Sequence, residues 1–172
     1  MRQKALLVLL ATIPLLPFTG IVPAQAKDQT PCSFKFDADL NPGLMSSPSS
    51  GTVTSNGETG TFTCHGKVNG KSVTGPGTFG TDAKYGTTDP DTCTSGGEGN
   101  GTMSMTVPTG DGPQHVTAPY TYTYGALQNG VLAVTFKGET WSGTAEVRPT
   151  KGDCVSAPLT KVTAEGKGTL TS

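Results

Sequence analysis

Residues 32–40 read Cys-Ser-Phe-Lys-Phe-Asp-Ala-Asp-Leu, with apolar side chains at every even position and polar ones at every odd position. A period of two puts the two sets on opposite faces of a β-strand, so this stretch predicts a half-buried strand that Asn41-Pro42-Gly43 ends. Similar alternation recurs along the rest of the chain. No stretch of a dozen residues places apolar side chains at i, i+3 and i+4 without an intervening glycine or proline, so no helix is predicted.

Asn-Gly pairs punctuate the alternation. Asparagine and glycine suit the two central positions of a type I′ hairpin turn, both of which need positive φ. Asn56-Gly57 is predicted to join residues 51–55 with 58–68, Asn69-Gly70 to join that strand with 71–79, and Asn129-Gly130 to join 115–128 with 131–141. Asn100-Gly101 sits in a glycine-rich run and reads as the opening of a strand. Residues 80–97 form the longest predicted irregular segment, and a loop of that length in a compact β domain is usually functional or pinned, here by Cys93.

A short echo, Gly-x-Gly-Thr and an apolar residue, occurs at 75–79, 99–103 and 166–170. Glycines two apart leave one strand face bare, which permits a sharp bend or a close approach. With no P-loop lysine and no following helix, the echo is not a phosphate loop. Eight or nine strands with closely spaced turns predict an antiparallel barrel of about eight strands, with an immunoglobulin-like β-sandwich as the alternative.

Residues 1–26 stand apart. Arg2 and Lys4 precede an apolar run, and Ala24-Gln25-Ala26 has the small-x-small form of a cleavage site, so the segment reads as a secretory signal peptide. Residues 27–172 are then one exported β domain, with no later run long enough to insert in a membrane. The chain of 172 residues has a formal net charge of −1 and loses two positive charges with the leader. No basic stripe offers a nucleic-acid site.

All four cysteines, Cys32, Cys64, Cys93 and Cys154, follow the leader. An even count in an exported chain predicts two disulfides, and four cysteines allow three pairings that spacing does not separate. The expected pairing is Cys64 with Cys93 and Cys32 with Cys154, the second tying the first strand to the C-terminal region. The absence of a CxxC pair argues against a zinc or thioredoxin-like centre.

Candidate chemistry is sparse. Cys64-His65 suggests a thiol and its base, but neighbours on a strand face opposite ways, so a structural cysteine beside a surface histidine is the better reading. Asp37-Ala38-Asp39-Leu40-Asn41 echoes a calcium loop yet has Pro42 and Pro48 where glycine and glutamate are required. Asp82, Asp89 and Asp91 form an oxygen-rich group in the long segment, read as solvated. No GxSxG or HExxH motif occurs, no catalytic or metal-ligating residue is assigned, and no cofactor is implied. Glu139 beside Trp141 could imitate a glycosidase carboxylate near an aromatic platform, given a second carboxylate nearby.

Tyr120, Tyr122 and Tyr124 alternate on one face. In a simple two-residue register around Asn129-Gly130, Leu127 pairs with Leu132 and Thr123 with Phe136, and the tyrosines face away from the apolar side. Either that row is exposed and available for binding, or a bulge at Gly125 turns it into the core, which is the preferred reading. With Trp141, the three tyrosines are the candidate ligand-binding residues.

The arrangement of Cys32, Asn41-Pro42-Gly43-Leu44, Thr61-Phe62-Thr63-Cys64, Asp91-Thr92-Cys93, Gly152-Asp153-Cys154 and Gly166-Lys167-Gly168-Thr169-Leu170 resembles small exported proteins of high-GC Gram-positive bacteria. Some of these resemble calycin-like or allene-oxide-cyclase-like barrels. The resemblance spans residues 27–172 and implies a barrel, but no cyclase site residue has a counterpart here, so it implies no activity. The leading expectation is a non-enzymatic barrel at or outside the cell envelope, holding a small apolar or sugar-like molecule. An extracellular hydrolase acting on polysaccharide or lipid, using Glu139, His115 or the aspartates at 82–91, is the second. An adhesin-like module is the third.

Overall fold

The computed structural model describes residues 27–172, so the signal-peptide reading of residues 1–26 lies outside the described residues. The strands are β1 (Gln29–Leu44), β2 (Gly51–Thr54), β3 (Gly60–Cys64), β4 (Lys67–Val68), β5 (Lys71–Ser72), β6 (Gly77–Tyr85), β7 (Gly97–Val107), β8 (Gln114–Tyr124), β9 (Leu132–Gly138), β10 (Trp141–Lys151) and β11 (Leu159–Thr171). No helix occurs among the described residues. Strands β6 to β11 follow one another around the wall, β11 pairs with β1, and both β2 and β3 lie between β1 and β6. The result is a closed antiparallel barrel of eight positions, one shared by β2 and β3, consistent with a calycin-like barrel. Closure excludes the two-sheet sandwich.

β1 shows how alternation builds the wall. Cys32, Phe34, Ala38 and Leu40 are buried, Phe36 is half-buried, and Ser33, Lys35 and Asp37 are exposed. The outer face closes the barrel against β11 through directly opposed pairs. Lys35 meets Glu165, Asp37 accepts a hydrogen bond from Thr163, and Asp39 pairs with Lys161. Both aspartates of the calcium-loop echo are thus on the solvent face, where they help set register. The strand does not end at Asn41-Pro42-Gly43, because it continues to Leu44 through a register shift after Asp39.

The Asn-Gly turns behave differently from one another. Asn69-Gly70 makes the predicted hairpin, pairing Val68 with Lys71, and the same register continues to Phe62 opposite Gly77. Asn56-Gly57 makes no hairpin. β2 and β3 both run antiparallel to β1 and β6, so they are two pieces of one interrupted strand. The positive-φ pair instead serves an outward excursion at 55–59. It is anchored where the Ser55 hydroxyl accepts the Thr81 amide at 2.8 Å. Residues 80–85 of the predicted irregular segment belong to β6, leaving 86–96 as the loop, with only isolated bridges.

The Gly-x-Gly echo makes room for rings. An added side chain at Gly99 would meet the Tyr122 ring, one at Gly166 the Phe34 ring, and one at Gly77 the Phe62 ring. In each case the ring belongs to the directly opposed residue or the facing strand. Aromatic rings lying over glycines let a small barrel curve without opening gaps. At Gly168 a β-carbon would lie 2.9 Å from two Trp141 ring carbons and 2.7 Å from the Ser142 carbonyl. Gly168→Ala is therefore expected to cost about 1–3 kcal/mol through overpacking. Chemical denaturation would measure the loss, and the emission of Trp141, the single tryptophan, would shift.

The disulfides are Cys32–Cys64 and Cys93–Cys154, with Cα atoms 4.0 and 6.2 Å apart. This corrects the expected pairing of Cys64 with Cys93 and Cys32 with Cys154. Antiparallel pairing sets the start of β1 beside the end of β11, where Cys32 faces Gly168. Cys154 precedes β11 and so lies near the far end of β1, where Leu44 faces Leu159. Cys32 instead faces Cys64 directly across β1 and β3. Cys64 is buried and His65 exposed, so the two do not form a dyad.

Candidate functional site

Two apolar clusters fill the barrel. One occupies the end where β1 begins and contains Phe34, Phe62, Met105, Val107, Trp141 and Leu170. The other occupies the end where β1 finishes and contains Leu40, Leu44, Tyr85, Tyr124, Leu132 and Leu159. Phe36 and Tyr122 pack against both. Between the clusters lies a cavity of about 120 Å³.

The cavity follows from which inward positions carry small side chains. Ala83 on β6, Ala145 on β10 and Ala164 on β11 all line it. Ala83 faces Gly101, which has no side chain to contribute, and Ala145 faces Gly166. Phe36, Val53, Val134 and Val147 complete the middle of the wall and remain only partly buried although they point inward. An eight-stranded barrel is just wide enough for its side chains to fill it or for one small ligand to enter. Small residues on several strands leave part of this interior unfilled.

The tyrosine row is part of this lining. Gln128 bridges Val131 around the Asn129-Gly130 turn, but Tyr124 faces Val134 and Tyr122 faces Phe136. The pairing has slipped by one residue from the simple hairpin register. The additional residue lies in 125–127, where the Gly125 amide donates to the Ala133 carbonyl at 3.1 Å. A one-residue slip reverses every side chain beyond it, so Tyr120, Tyr122 and Tyr124 turn inward and the exposed-row alternative falls away. Trp141 lines the same cavity from β10.

Each tyrosine hydroxyl is engaged by the wall. Tyr120 shares a 2.6 Å hydrogen bond with the Thr81 hydroxyl, and Tyr122 donates to the Lys84 carbonyl at 3.1 Å. Tyr124 donates to the Asp91 carboxylate at 3.0 Å, and Tyr85 to the Pro42 carbonyl at 2.5 Å. Burial pushes the pKa of all four phenols above the ordinary value. A folded-state pKa raised in this way contributes stability below the unfolded value, near pH 10, and that contribution is lost as pH rises toward the folded value. Absorbance at alkaline pH should therefore show no independent tyrosinate step near pH 10. Ionisation should coincide with loss of Trp141 tertiary signal at higher pH, and four phenols titrating in the folded protein would contradict this.

Asp91 is the group that sequence reading undervalued. It is 5% exposed and holds the 86–96 loop over one end of the barrel. Besides the Tyr124 hydroxyl, its carboxylate accepts the amides of Gly86 at 2.8 Å and Glu98 at 3.1 Å. Its backbone exchanges two 2.8 Å hydrogen bonds with Ser49. The signal available in the sequence was the glycine at 97, where any side chain would collide with this carboxylate. Asp82 lies apart on β6 and accepts from Thr54. Among the described residues no three His, Cys, Asp or Glu side chains converge on a possible metal site.

None of the remaining catalytic candidates lines the cavity. Glu139 is exposed while Trp141 is buried inside, so the carboxylate has no aromatic platform. Glu139 and Asp82 both border a shallow outer groove with Lys84 and Lys137. His115 lies on the outer wall, where its Nδ1 is 3.0 Å from the Thr106 hydroxyl, which donates to Glu58. Comparison with known proteins finds no matching family model, curated protein or solved structure.

Proposed function

We propose that the protein is an exported, non-enzymatic binding protein that holds a small apolar molecule inside its barrel. The observation that carries this reading is the internal cavity of about 120 Å³, walled by aromatic and aliphatic side chains. For comparison, an engineered apolar cavity of about 150 Å³ stays dry and takes up benzene or xenon. Two disulfides fit an oxidising compartment, in keeping with the leader-like residues 1–26 and the resemblance to exported bacterial proteins. The apolar lining favours an apolar guest over a sugar-like one. Closure pairs both edges of every long strand, which removes the template that an adhesin-like edge contact would need.

The test is chemical. Protein recovered from the culture medium of its native host would be extracted with solvent, and the extract compared with that of denatured, washed protein by gas chromatography and mass spectrometry. The expected result is one small apolar compound in stoichiometric amount. A clean extract, together with no uptake of xenon by the purified protein, would defeat the binding reading.

A further inference from the structure

The walls of the cavity define the guest more narrowly than its volume does. We infer that the ligand is an uncharged single-ring hydrophobe, about the size of benzene or toluene, bound without a polar anchor. This rests on reading the cavity as a ligand site.

Three observations converge. First, no charged side chain lines the cavity. The hydroxyls that border it are already bonded to the wall: Tyr120 with Thr81, Tyr122 to a backbone carbonyl, Tyr124 to Asp91. A carboxylate would enter without a countercharge, and a sugar would leave several hydroxyls unbonded. Each buried polar group without a partner lowers affinity by about tenfold to a hundredfold.

Second, size limits the guest to one ring. The space is slightly smaller than the cavity of about 150 Å³ that accommodates benzene. The whole space amounts to about 120 Å³, too little to take up a long acyl chain.

Third, the lining is aromatic, and its rings meet one another in stacked, tilted and edge contacts. Phe36 and Phe79 lie 5.1 Å apart at 40°, and Tyr120 and Phe136 lie 6.4 Å apart at 77°. Such faces and edges suit another flat ring, because aromatic pairs favour offset and edge-to-face geometry. Water would find few free partners in the same space.

The experiment uses the disulfide-intact protein with four probes: toluene, benzoate, octanoate and glucose. Binding would be read by calorimetry and by Trp141 emission, since that ring lines the cavity. Toluene should bind and raise the unfolding midpoint, with benzoate, octanoate and glucose at least about a hundredfold weaker. Ala145→Leu should abolish toluene binding while keeping the β circular dichroism and a cooperative melt. Ala83→Leu fills the same space from another strand, so a misfolded first variant leaves the test intact. Tighter binding of octanoate or glucose would overturn the ligand class and leave the binding function standing. Toluene binding that survives in a folded filled variant would place the site elsewhere and overturn the inference. Failure of toluene, xenon and every other probe would defeat both readings.

Discussion

Replacing Cys93 and Cys154 together with serine should lower the thermal midpoint by about 10–15 °C. The two residues are 61 positions apart in sequence, and releasing a loop of that length returns about 4 kcal/mol of chain entropy to the unfolded state. The native side of the balance points the same way. The Cys93 amide donates to the Met45 carbonyl at 2.9 Å, and the Cys93 carbonyl accepts the Leu127 amide at 2.7 Å. Ser46 donates in turn to the Cys154 carbonyl at 3.2 Å. The bridge therefore gathers four loops over one end of the barrel: 45–50, 86–96, 125–131 and 152–158. Scanning calorimetry of the double variant beside the parent would measure the change. A shift under about 3 °C would mean that hydrogen bonds alone hold these loops, and that the bridge is a minor contributor.

The second large effect is expected at Asp91. Asp91→Ala leaves the buried Tyr124 hydroxyl and the part-buried amides of Gly86 and Glu98 without their acceptor. Stranding one buried donor and two part-buried ones that served one carboxylate costs about 2–4 kcal/mol. Asp91→Asn keeps the shape and one acceptor oxygen, so its loss should be clearly smaller. Denaturant unfolding of both variants would test this order. Equal losses would show that the charge of Asp91, rather than its acceptor geometry, organises the loop. Asp153 offers a contrast. Its exposed carboxylate accepts the Ser156 hydroxyl and the amides of Ala157, Ser156 and Val155, which hold its pKa down to about 2. Because the carboxylate is solvated, its removal should disturb one turn and little else.

Much of the wall was legible in local pattern. Residues 32–40 form a strand with the predicted inner and outer faces, and Asn69-Gly70 fixes a hairpin whose register reaches Phe62 and Gly77. Both follow from backbone geometry: alternation has a period of two, and Asn-Gly tolerates positive φ. The same local preference misled at Asn56-Gly57. The dipeptide permits a turn, but its partners are chosen by β1 and β6, which take β2 and β3 into one shared place. The tyrosine row was ambiguous for a related reason. One additional residue near Gly125 decides which way three rings point, and its position is set by pairing with β9.

What the chain carries locally is a set of strands with two faces, glycines placed for rings to cover, and cysteines able to pair. Which cysteines pair was decided by the partners of β1: β3 sets Cys64 opposite Cys32, and closure on β11 leaves Cys154 near the far end of the strand, neither of which spacing encodes. The cavity has the same origin. Ala83, Ala145 and Ala164 are unremarkable in their own strands, and a void appears only when closure sets them around one interior beside Gly101 and Gly166. Local pattern sets which face of a strand is inward. Packing across the closed barrel sets how much of that interior the inward side chains leave empty.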